Sequence, residues 1–277
     1  MKIELARDKT TFKNGQSNKK SVECYKKGRR AMCMIYGFSG KENYNLAKTL
    51  MEFYSKSNLH PDGWGIGRYL FGEKPYVFRA PKRAKSDKEL MSMDKLLSDL
   101  CIAHIRKATV GELSVENTHP FKAEVVGKTW IFAHNGTVSQ SAFPKKKDAA
   151  VKGETDSERA FWHIMNAIEK DREIESIEEA VKHLANHGKF NMVLIDGERL
   201  YVHTNMRGTL YEYQTSAGVL FCTEPLKKVK LPLAWKAAPM NKLLVYEKGK
   251  LIYSGKSHKH EYGPKKQKLY ARKELDI

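Results

Sequence analysis

The sequence predicts an α+β fold in which helices are layered on largely antiparallel sheets. Strand-like and helix-like segments are both abundant, and the helices come in pairs between groups of strands instead of alternating with them one by one. Neither a GxGxxG fingerprint nor a GxxxxGK[ST] loop is present, which disfavours the doubly wound parallel sheet of nucleotide-binding proteins. The individual elements follow from the spacing of apolar residues.

Short, largely apolar runs predict the strands. In chain order these runs are CMIYGFS, GWGIGRYLF, PYVFRA, CIAHIRKA, TWIFAHNG, FNMVLID, RLYVHTN, TLYEYQT and GVLFCTE, followed by the hairpin KLLVYEKGKLIYS. Several of them end in glycine or polar residues, which is expected where a strand gives way to a loop.

Four segments have apolar residues at helical spacing. The first is NYNLAKTLMEFYSKS, and the second is SDKELMSMDKLLSDL with Ser86 as its predicted N-cap. The third, TDSERAFWHIMNAIEK, begins at the predicted N-cap Thr155, and Glu158 completes a capping-box pattern. The fourth is SIEEAVKHLANHG, which Gly188 is expected to close.

Length and composition predict one large domain between two basic ends. The chain has 277 residues, of which 41% are hydrophobic, and this is enough for a sizeable core. We expect a basic polar extension at 1–32, a folded domain at 33–254 and a basic tail at 255–277. No apolar run approaches membrane-spanning length, and the N-terminus lacks the apolar region of a signal peptide.

Cysteine use and charge limit the compartment and the partners. The four cysteines, Cys24, Cys33, Cys101 and Cys222, form no CxxC pair and no disulfide-like framework, so a reducing cytoplasmic setting is expected. Of the net charge of +18, residues 1–32 carry +7 and residues 255–277 carry +4. Both segments are polar and without periodicity, as solvated tails are, so we do not expect nucleic acid to be the partner.

Five short motifs place polar and glycine residues at the ends of predicted strands. They are MCMIYGFSG (32–40), HPDGWGIGRY (60–69), AHIRKATVGELSVENTHPF (103–121), FAHNGTV (132–138) and ETDSERAF (154–161). In this order they resemble the class II glutamine amidotransferases, which are N-terminal-nucleophile amidohydrolases that cleave the side-chain amide of glutamine. The resemblance covers roughly residues 32–225. It is nearest to the members without a synthase domain, some of which hydrolyse γ-glutamyl amides.

This resemblance implies a four-layer αββα sandwich and a thiol nucleophile at Cys33. The thiol would form a γ-glutamyl thioester, and the α-amine of Cys33 would act as the base, because the pKa of an α-amine is near 8. Such chemistry needs no metal and no organic cofactor. On spacing alone, the alternative of a buried strand cysteine is favoured, because this is the usual fate of a free cysteine; the other motifs reverse that preference.

The resemblance makes Asn135 and Gly136 the oxyanion hole. A side-chain amide and an unhindered backbone N–H can both point at negative charge as it develops on the amide oxygen. The alternative is an Asn-Gly turn that ends a strand. Both descriptions can apply to the same pair of residues.

Four further residues correspond to substrate-binding positions of the family. Arg106 would bind the α-carboxylate of glutamine, since a guanidinium matches a carboxylate in a bidentate pair; the alternative is an edge-strand arginine facing water. Thr109 would help to hold the substrate or the nucleophile. Asp156 would bind the α-ammonium, or else stabilise a helix N-terminus. His119, like His134, is expected near the pocket as a supporting hydrogen-bonding residue.

The largest departure from the family is the segment before Cys33. The mechanism needs a free α-amine, because an amide nitrogen is not a base. Three explanations stay open: translation from Met32 with removal of that methionine, a propeptide cut after Met32, or a retained extension on an inactive protein.

The expected partner is a small molecule, glutamine or a γ-glutamyl compound. A synthase or hydrolase subunit is a further candidate partner, and the sequence leaves the leaving amine and the acyl acceptor open. The alternative function is a non-catalytic protein of the same fold, with Cys33 blocked, that binds a γ-glutamyl ligand or a partner.

Overall fold

The structure is a computed structural model that describes residues 32–70, 74–91, 96–146, 148–227 and 234–263. The predicted extension up to residue 31, which includes Cys24, lies outside the described residues, as does the end of the predicted tail. No helix among the described residues is both long and apolar enough to cross a membrane.

One sheet has seven strands and begins with the segment that follows Cys33. Its strands are β1 (Met34–Asn45), β2 (Trp64–Tyr69), β3 (Tyr76–Ala80), β4 (Leu97–Ile105), β9 (Tyr211–Gln214), β10 (Gly218–Cys222) and β11 (Lys236–Ala237). The order across the sheet is β11-β9-β10-β1-β4-β2-β3, so β1 is central. It pairs antiparallel with β10 on one side and β4 on the other.

The second sheet has six strands. They are β5 (Phe121–Val125), β6 (Lys128–Val138), β7 (Gly188–Ile195), β8 (Arg199–His203), β12 (Leu244–Glu247) and β13 (Lys250–Ser254). The order is β13-β12-β8-β7-β6-β5. All pairings among these described strands are antiparallel, as the sequence predicts for the fold.

Helices cover the outer faces of both sheets. Their bounds are α1 (Ala47–Ser55), the single turn α2 (Lys88–Met91), α3 (Asp156–Ala167) and α4 (Glu173–Asn186). One apolar cluster packs α1 on the seven-stranded sheet, and another packs α3 and α4 on the six-stranded sheet. A third cluster fills the space between the sheets. The four-layer αββα sandwich is therefore confirmed.

The second predicted helix is largely wrong. Of its described residues, the α-helical ones are those of α2, and β4 has begun by Leu97, which pairs with Asn45 of β1. The N-cap is also not Ser86, because the Asp87 carboxylate accepts the backbone N–H of Glu89 at 3.1 Å. Pairing with neighbouring strands has overridden the helical spacing of the leucines.

The capping pattern of the third predicted helix is half right. The Thr155 hydroxyl accepts the backbone N–H of Glu158 at 3.2 Å, as expected of an N-cap. The Glu158 carboxylate does not return to Thr155; it accepts the backbone N–H groups of Lys152 and Gly153 at 2.9 and 2.6 Å. Glu158 therefore holds the preceding loop by these two hydrogen bonds instead of completing a capping box.

Three other boundaries differ from the sequence prediction. The first helix begins at Ala47, because residues 43–45 continue β1. Helix α4 ends at Asn186, and Gly188 begins β7 instead of closing the helix. The strands β5 and β11 were not predicted.

The first part of the predicted C-terminal tail is joined to the folded domain by backbone hydrogen bonds, although several of its side chains are exposed. The backbone N–H groups of Gly255, His258 and Tyr262 donate to carbonyls in the folded domain at 2.8, 2.8 and 2.7 Å. The last of these carbonyls belongs to Asn205. A polar composition did not reveal this contact, because backbone groups carry it.

Asn205 joins the start of β7 to the end of α4. It is fully buried, and its Oδ1 accepts the backbone N–H of Phe190 at 2.8 Å. Its Nδ2 donates to the carbonyls of Gly188 at 2.8 Å and Ala185 at 3.0 Å. These bonds hold the backbone on both sides of Lys189, which lies at the candidate site.

Replacing Asn205 by alanine is expected to lower the free energy of unfolding by about 3 kcal/mol, since several buried backbone groups lose their partner. Urea denaturation measures this loss. The exposed Asn58 provides the matched control, and Asn58→Ala should change the free energy by less than about 0.5 kcal/mol. Equal losses in the two variants would contradict the role given to Asn205.

Candidate active site

The candidate site lies where strands of both sheets end on the face that the sheets share. Side chains alternate along a strand, so residues two positions apart point to the same face. The cluster between the sheets includes Ile35, Ile102, Ala133, Val193 and Phe221. Continuing each strand by steps of two leads to Cys33 before β1, Arg106 after β4, Asn135 in β6, Lys189 in β7 and Thr223 after β10.

Cys33 is half-buried and lies one residue before β1. Its Sγ is 3.3 Å from both the carbonyl oxygen and the backbone nitrogen of Lys107. Burial raises the pKa of the thiol, whereas the bond from Lys107 and the charges of Arg106 and Lys189 lower it. The net direction is upward, so the thiol form is favoured here.

Asn135 bridges the two sheets beside Cys33. Its Nδ2 donates to Thr223 Oγ1 at 3.4 Å, and its Oδ1 accepts from Lys189 Nζ at 3.3 Å. Thr223 Oγ1 in turn accepts the backbone N–H of Ile35 at 2.9 Å. Two hydrogen bonds therefore link the Asn135 amide, through Thr223, to Ile35 of β1.

Gly136 follows Asn135 and pairs with Phe190 across the β6–β7 ladder. A Cβ atom at this position would overlap the carbonyl oxygen of Lys189 and would crowd the ring of His134. Only glycine permits this close approach of the two strands. The alternative of a strand-ending Asn-Gly turn is wrong, because β6 continues to Val138.

Arg106 is buried, with 3% of its surface exposed, and holds the loop that follows β4. Its Nη1 donates to the carbonyl of Glu112 at 2.9 Å, and its Nη2 donates to those of Val110 and Gly111 at 2.9 and 3.2 Å. Its backbone N–H donates to Gly63 at 2.8 Å. The alternative of an edge-strand arginine facing water is therefore wrong.

Asp62 was not among the predicted site residues, although it fixes the segment around Cys33. Its carboxylate accepts the backbone N–H of Ala108 at 2.8 Å and lies 3.7 Å from Lys107 Nζ. The HPDGWG motif is thereby joined to the end of β4. Thr109, the next residue along the loop, is exposed.

Asp156 begins α3 and contacts the end of β6. Its Oδ2 accepts the backbone N–H of Val138 at 2.6 Å, which ties the start of α3 to the end of β6. Burial raises its pKa to about 6, although bonds from Val138 and from Ser157 act in the opposite direction. The carboxylate can therefore change its charge close to neutral pH.

Two of the motif histidines lie in different environments. His134 contacts Ser157 Oγ at 2.9 Å and the Lys189 carbonyl at 3.1 Å, which confirms its predicted hydrogen bonding. His119 is 4% exposed, and among the described residues neither of its ring nitrogens has a hydrogen-bond partner. Its ring packs 4.3 Å from that of His104, and burial lowers the pKa of both rings. Hydrogen bonding was wrongly predicted for His119.

The structure thus brings Cys33, Arg106, Asn135 and Gly136 to one edge of the interface between the sheets. Lys189 and Thr223 also belong there but were missed. The signal for Lys189 was a charged residue directly before the apolar run FNMVLID. In the described part of the chain, no group of three or more His, Cys, Asp or Glu side chains is arranged to hold a metal ion.

This arrangement is suited to attack on a carbonyl group. A thiol supplies the nucleophile, an amide N–H can meet negative charge on the carbonyl oxygen, and two cations lie beside them. Cys101 and Cys222 are fully buried in the same sheet, and burial raises the pKa of each to about 12. Of the cysteines in the described part, Cys33 is therefore the one placed to react.

Several curated proteins are similar to the chain. An uncharacterized protein of Methanocaldococcus jannaschii is 30% identical over 263 residues, which cover 81% of this chain and 72% of that protein. A protein of Haemophilus influenzae whose name assigns it to the glutamine amidotransferases is 34% identical over 189 residues, or 63% of each chain. The similarly named YafJ of Escherichia coli is 30% identical over 191 residues, 63% of this chain and 74% of its own.

Solved structures and a family model agree with these relatives. A predicted glutamine amidotransferase from Pseudomonas aeruginosa superposes with a TM-score of 0.54 at 24% identity, covering 81% of this chain and 96% of the other. Glutamine phosphoribosylpyrophosphate amidotransferase from Bacillus subtilis gives 0.61 at 15% identity, covering 81% and 49%, which shows a shared fold. The family model described as "Glutamine amidotransferases class-II" matches residues 32–217. The chain therefore belongs to the class II glutamine amidotransferases.

Proposed function

We propose that the protein hydrolyses the side-chain amide of glutamine, or of a γ-glutamyl amide, through a thioester on Cys33. The observation that carries this proposal is the contact set around Cys33. The Asn135 amide and the side chains of Arg106 and Lys189 converge near Cys33, directly before β1 enters the sandwich. Family membership supports glutamine amide chemistry in general.

In the first half of the reaction, the Cys33 sulfur forms a bond to the amide carbon. The thiol proton passes to the α-amine of Cys33, and the carbonyl electron pair moves to oxygen. Asn135 Nδ2 and the Gly136 N–H would donate to this oxyanion. When the intermediate collapses, the carbon–nitrogen bond breaks, and the leaving nitrogen takes the proton from the α-ammonium and departs as ammonia or an amine.

In the second half, water attacks the thioester carbon. The α-amine accepts a proton from that water, and the same two donors meet the second oxyanion. The carbon–sulfur bond then breaks and the proton returns to sulfur, which regenerates Cys33 and releases the carboxylic acid. No redox partner or metal is required for the balance of these steps.

Substrate recognition is assigned to charged groups at either end of the amino-acid moiety. Arg106 would bind the α-carboxylate, and Asp156 would bind the α-ammonium. Thr109, on the exposed loop after β4, would help to hold the substrate. We give His119 a supporting role, because its ring is buried and packs against that of His104. The acyl acceptor is water, or else a partner's substrate receives the ammonia.

The active form is proposed to begin at Cys33. In the printed sequence 32 residues precede this position, and the nitrogen of Cys33 is then an amide without basic character. Removal of Met32 and everything before it would create the α-amine that both proton transfers need.

Replacing Cys33 by alanine in a protein that begins at this position should abolish ammonia release from glutamine. We expect kcat to fall by a factor on the order of 10³ or more, since the bond-forming atom is lost. Cys101→Ala is the matched control and should stay active, because Cys101 is buried away from the loop around Cys33. A protein beginning at Cys33 that binds glutamine without releasing ammonia would instead be the non-catalytic binding protein.

Replacing Asp156 by asparagine should raise KM for glutamine more than it lowers kcat. Because burial raises the pKa of Asp156 to about 6, the carboxylate loses its charge as the pH falls below that value. The wild-type kcat/KM should therefore rise as the pH increases through about 6, and the variant should lack this rise.

A pH series of initial rates measures this dependence, with the exposed Asp171→Asn as the control.

Stability provides the second readout. A carboxyl group whose pKa is raised by folding stabilises the folded state at pH values below its pKa in the unfolded chain. This contribution is lost as the pH rises through about 6. The free energy of unfolding of Asp156→Asn, relative to that of the wild type, should therefore be higher above pH 6 than at low pH. An unchanged rate profile in the variant would contradict ammonium binding by Asp156.

A further inference from the structure

Lys189 is a buried cation that the reaction described above does not use. It is 3% exposed and lies at the start of β7, opposite Thr137 of β6. Its position on the strand is of the same parity as Asn191 and Val193, so its side chain belongs to the face between the sheets. A buried ammonium is costly unless other groups compensate its charge, so its presence here needs an explanation.

The contacts of the ammonium point to Asn135. Lys189 Nζ lies 3.3 Å from Asn135 Oδ1 and 3.6 Å from the sulfur of Met32, the residue directly before Cys33. An ammonium has three donors and no acceptor, so the oxygen of the amide must face it. The Nδ2 of Asn135 is thereby turned to the other side, toward Thr223.

This fixed orientation matters because an asparagine amide can rotate by half a turn with little change in shape. The flipped amide would present its oxygen, an acceptor, where the oxyanion develops. Repulsion would then replace the stabilising hydrogen bond. The choice between the two orientations depends on a donor-only group at Oδ1.

We propose that Lys189 is a positioning residue of this hydrolysis, whose ammonium holds Asn135 Oδ1, so that Nδ2 on the Thr223 side is the donor left for the oxyanion, and whose positive charge acts on Cys33. The proposal rests on the proposed function. It assigns to Lys189 two effects that one side chain can produce together, the orientation of a donor and the stabilisation of the thiolate.

The electrostatics of Cys33 support the second effect. Burial raises the pKa of the thiol, and the charges of Arg106 and Lys189 both lower it. The other charged groups facing this region are Lys107, which pairs with Asp62, and Asp62 itself, which lies within Coulombic range of Arg106. Without Lys189, the rise in the Cys33 pKa that burial causes would be opposed chiefly by the backbone bond from Lys107 and the charge of Arg106.

The backbone around Lys189 is held on both sides, which gives the side chain a defined origin. Asn205 binds the carbonyl of Gly188 and the N–H of Phe190. His134 contacts the carbonyl of Lys189 itself at 3.1 Å. A substitution that keeps the length of the stem should therefore leave the strand in place.

The test compares Lys189→Met with Lys189→Arg in the full chain. Methionine keeps an unbranched apolar stem without charge, and arginine restores a donor-only cation. Alkylation of Cys33 by iodoacetamide, followed over a pH series by peptide mass spectrometry, reports the thiolate without any substrate. We expect Lys189→Met to shift the midpoint upward by about one pH unit and Lys189→Arg to return most of the shift.

Ammonia release provides the second arm, measured on the same variants in the protein that begins at Cys33. Lys189→Met should lower kcat by about tenfold to a hundredfold with little change in KM, and Lys189→Arg should recover part of the rate. The control is Lys128→Met, which removes a partly buried lysine from the far end of β6, where it pairs with Glu173 at 2.7 Å. That variant should leave the alkylation midpoint unchanged even if it lowers the melting temperature.

The outcomes separate this inference from the proposed function. An active wild type with the same midpoint and the same kcat in Lys189→Met would overturn the role of Lys189. Equal loss of activity in the methionine and arginine variants, with lowered melting temperatures and an unshifted midpoint, would reduce Lys189 to a structural residue. A wild type whose Cys33 alkylates but which releases no ammonia in any form would instead contradict the proposed function.

Discussion

The packing of two sheets face to face is the constraint on which the rest of this structure depends. The space between them is filled by apolar side chains from strands of both sheets. Because side chains alternate, each of these strands carries the same face beyond the apolar core to its end. Ile35 leads back to Cys33 in this way, and Ala133 leads on to Asn135. The site is thus the polar margin of the central core, and its geometry is as rigid as the packing behind it.

The buried histidines and the buried cations around this polar margin differ in their charge. Burial lowers the pKa of His104 and His134 to about 3, so both rings stay neutral at physiological pH and add no proton equilibria behind the site. The buried cations, Arg106 and Lys189, instead find oxygen partners and stay close to the thiol. Among the described residues, the two buried cations thus lie near the thiol, where the proposed reaction would form an anion, which is how a preorganised polar site differs from water.

The sequence predicts the layered fold and most strands, because short apolar runs and turn residues are local signals. It fails at Leu97 and Leu100, which lie at helical spacing but are drawn into β4 by pairing with β1 and β2. The motif residues around Cys33 were accessible through resemblance, but their contacts were not. Lys189 was missed because a single lysine next to a strand is more often exposed, and its burial follows from long-range pairing with β6. Glu158 was misjudged because its partners come from an irregular loop.

The contacts of Arg106 have a consequence for ligand selection. Three carbonyls of the loop at 110–112 already occupy its guanidinium. A ligand that reaches this group must exchange bonds with the loop instead of adding to them, so only the difference in strength counts toward affinity. A carboxylate gains from the exchange, because it adds charge–charge attraction and bidentate geometry to the kind of hydrogen bond that the loop carbonyls already accept from the guanidinium. A neutral ligand gains nothing and leaves the loop where it is. At the proposed Arg106 subsite, competition inside the protein would thus act as a filter for negative charge, and loop movement and anion binding would become one event.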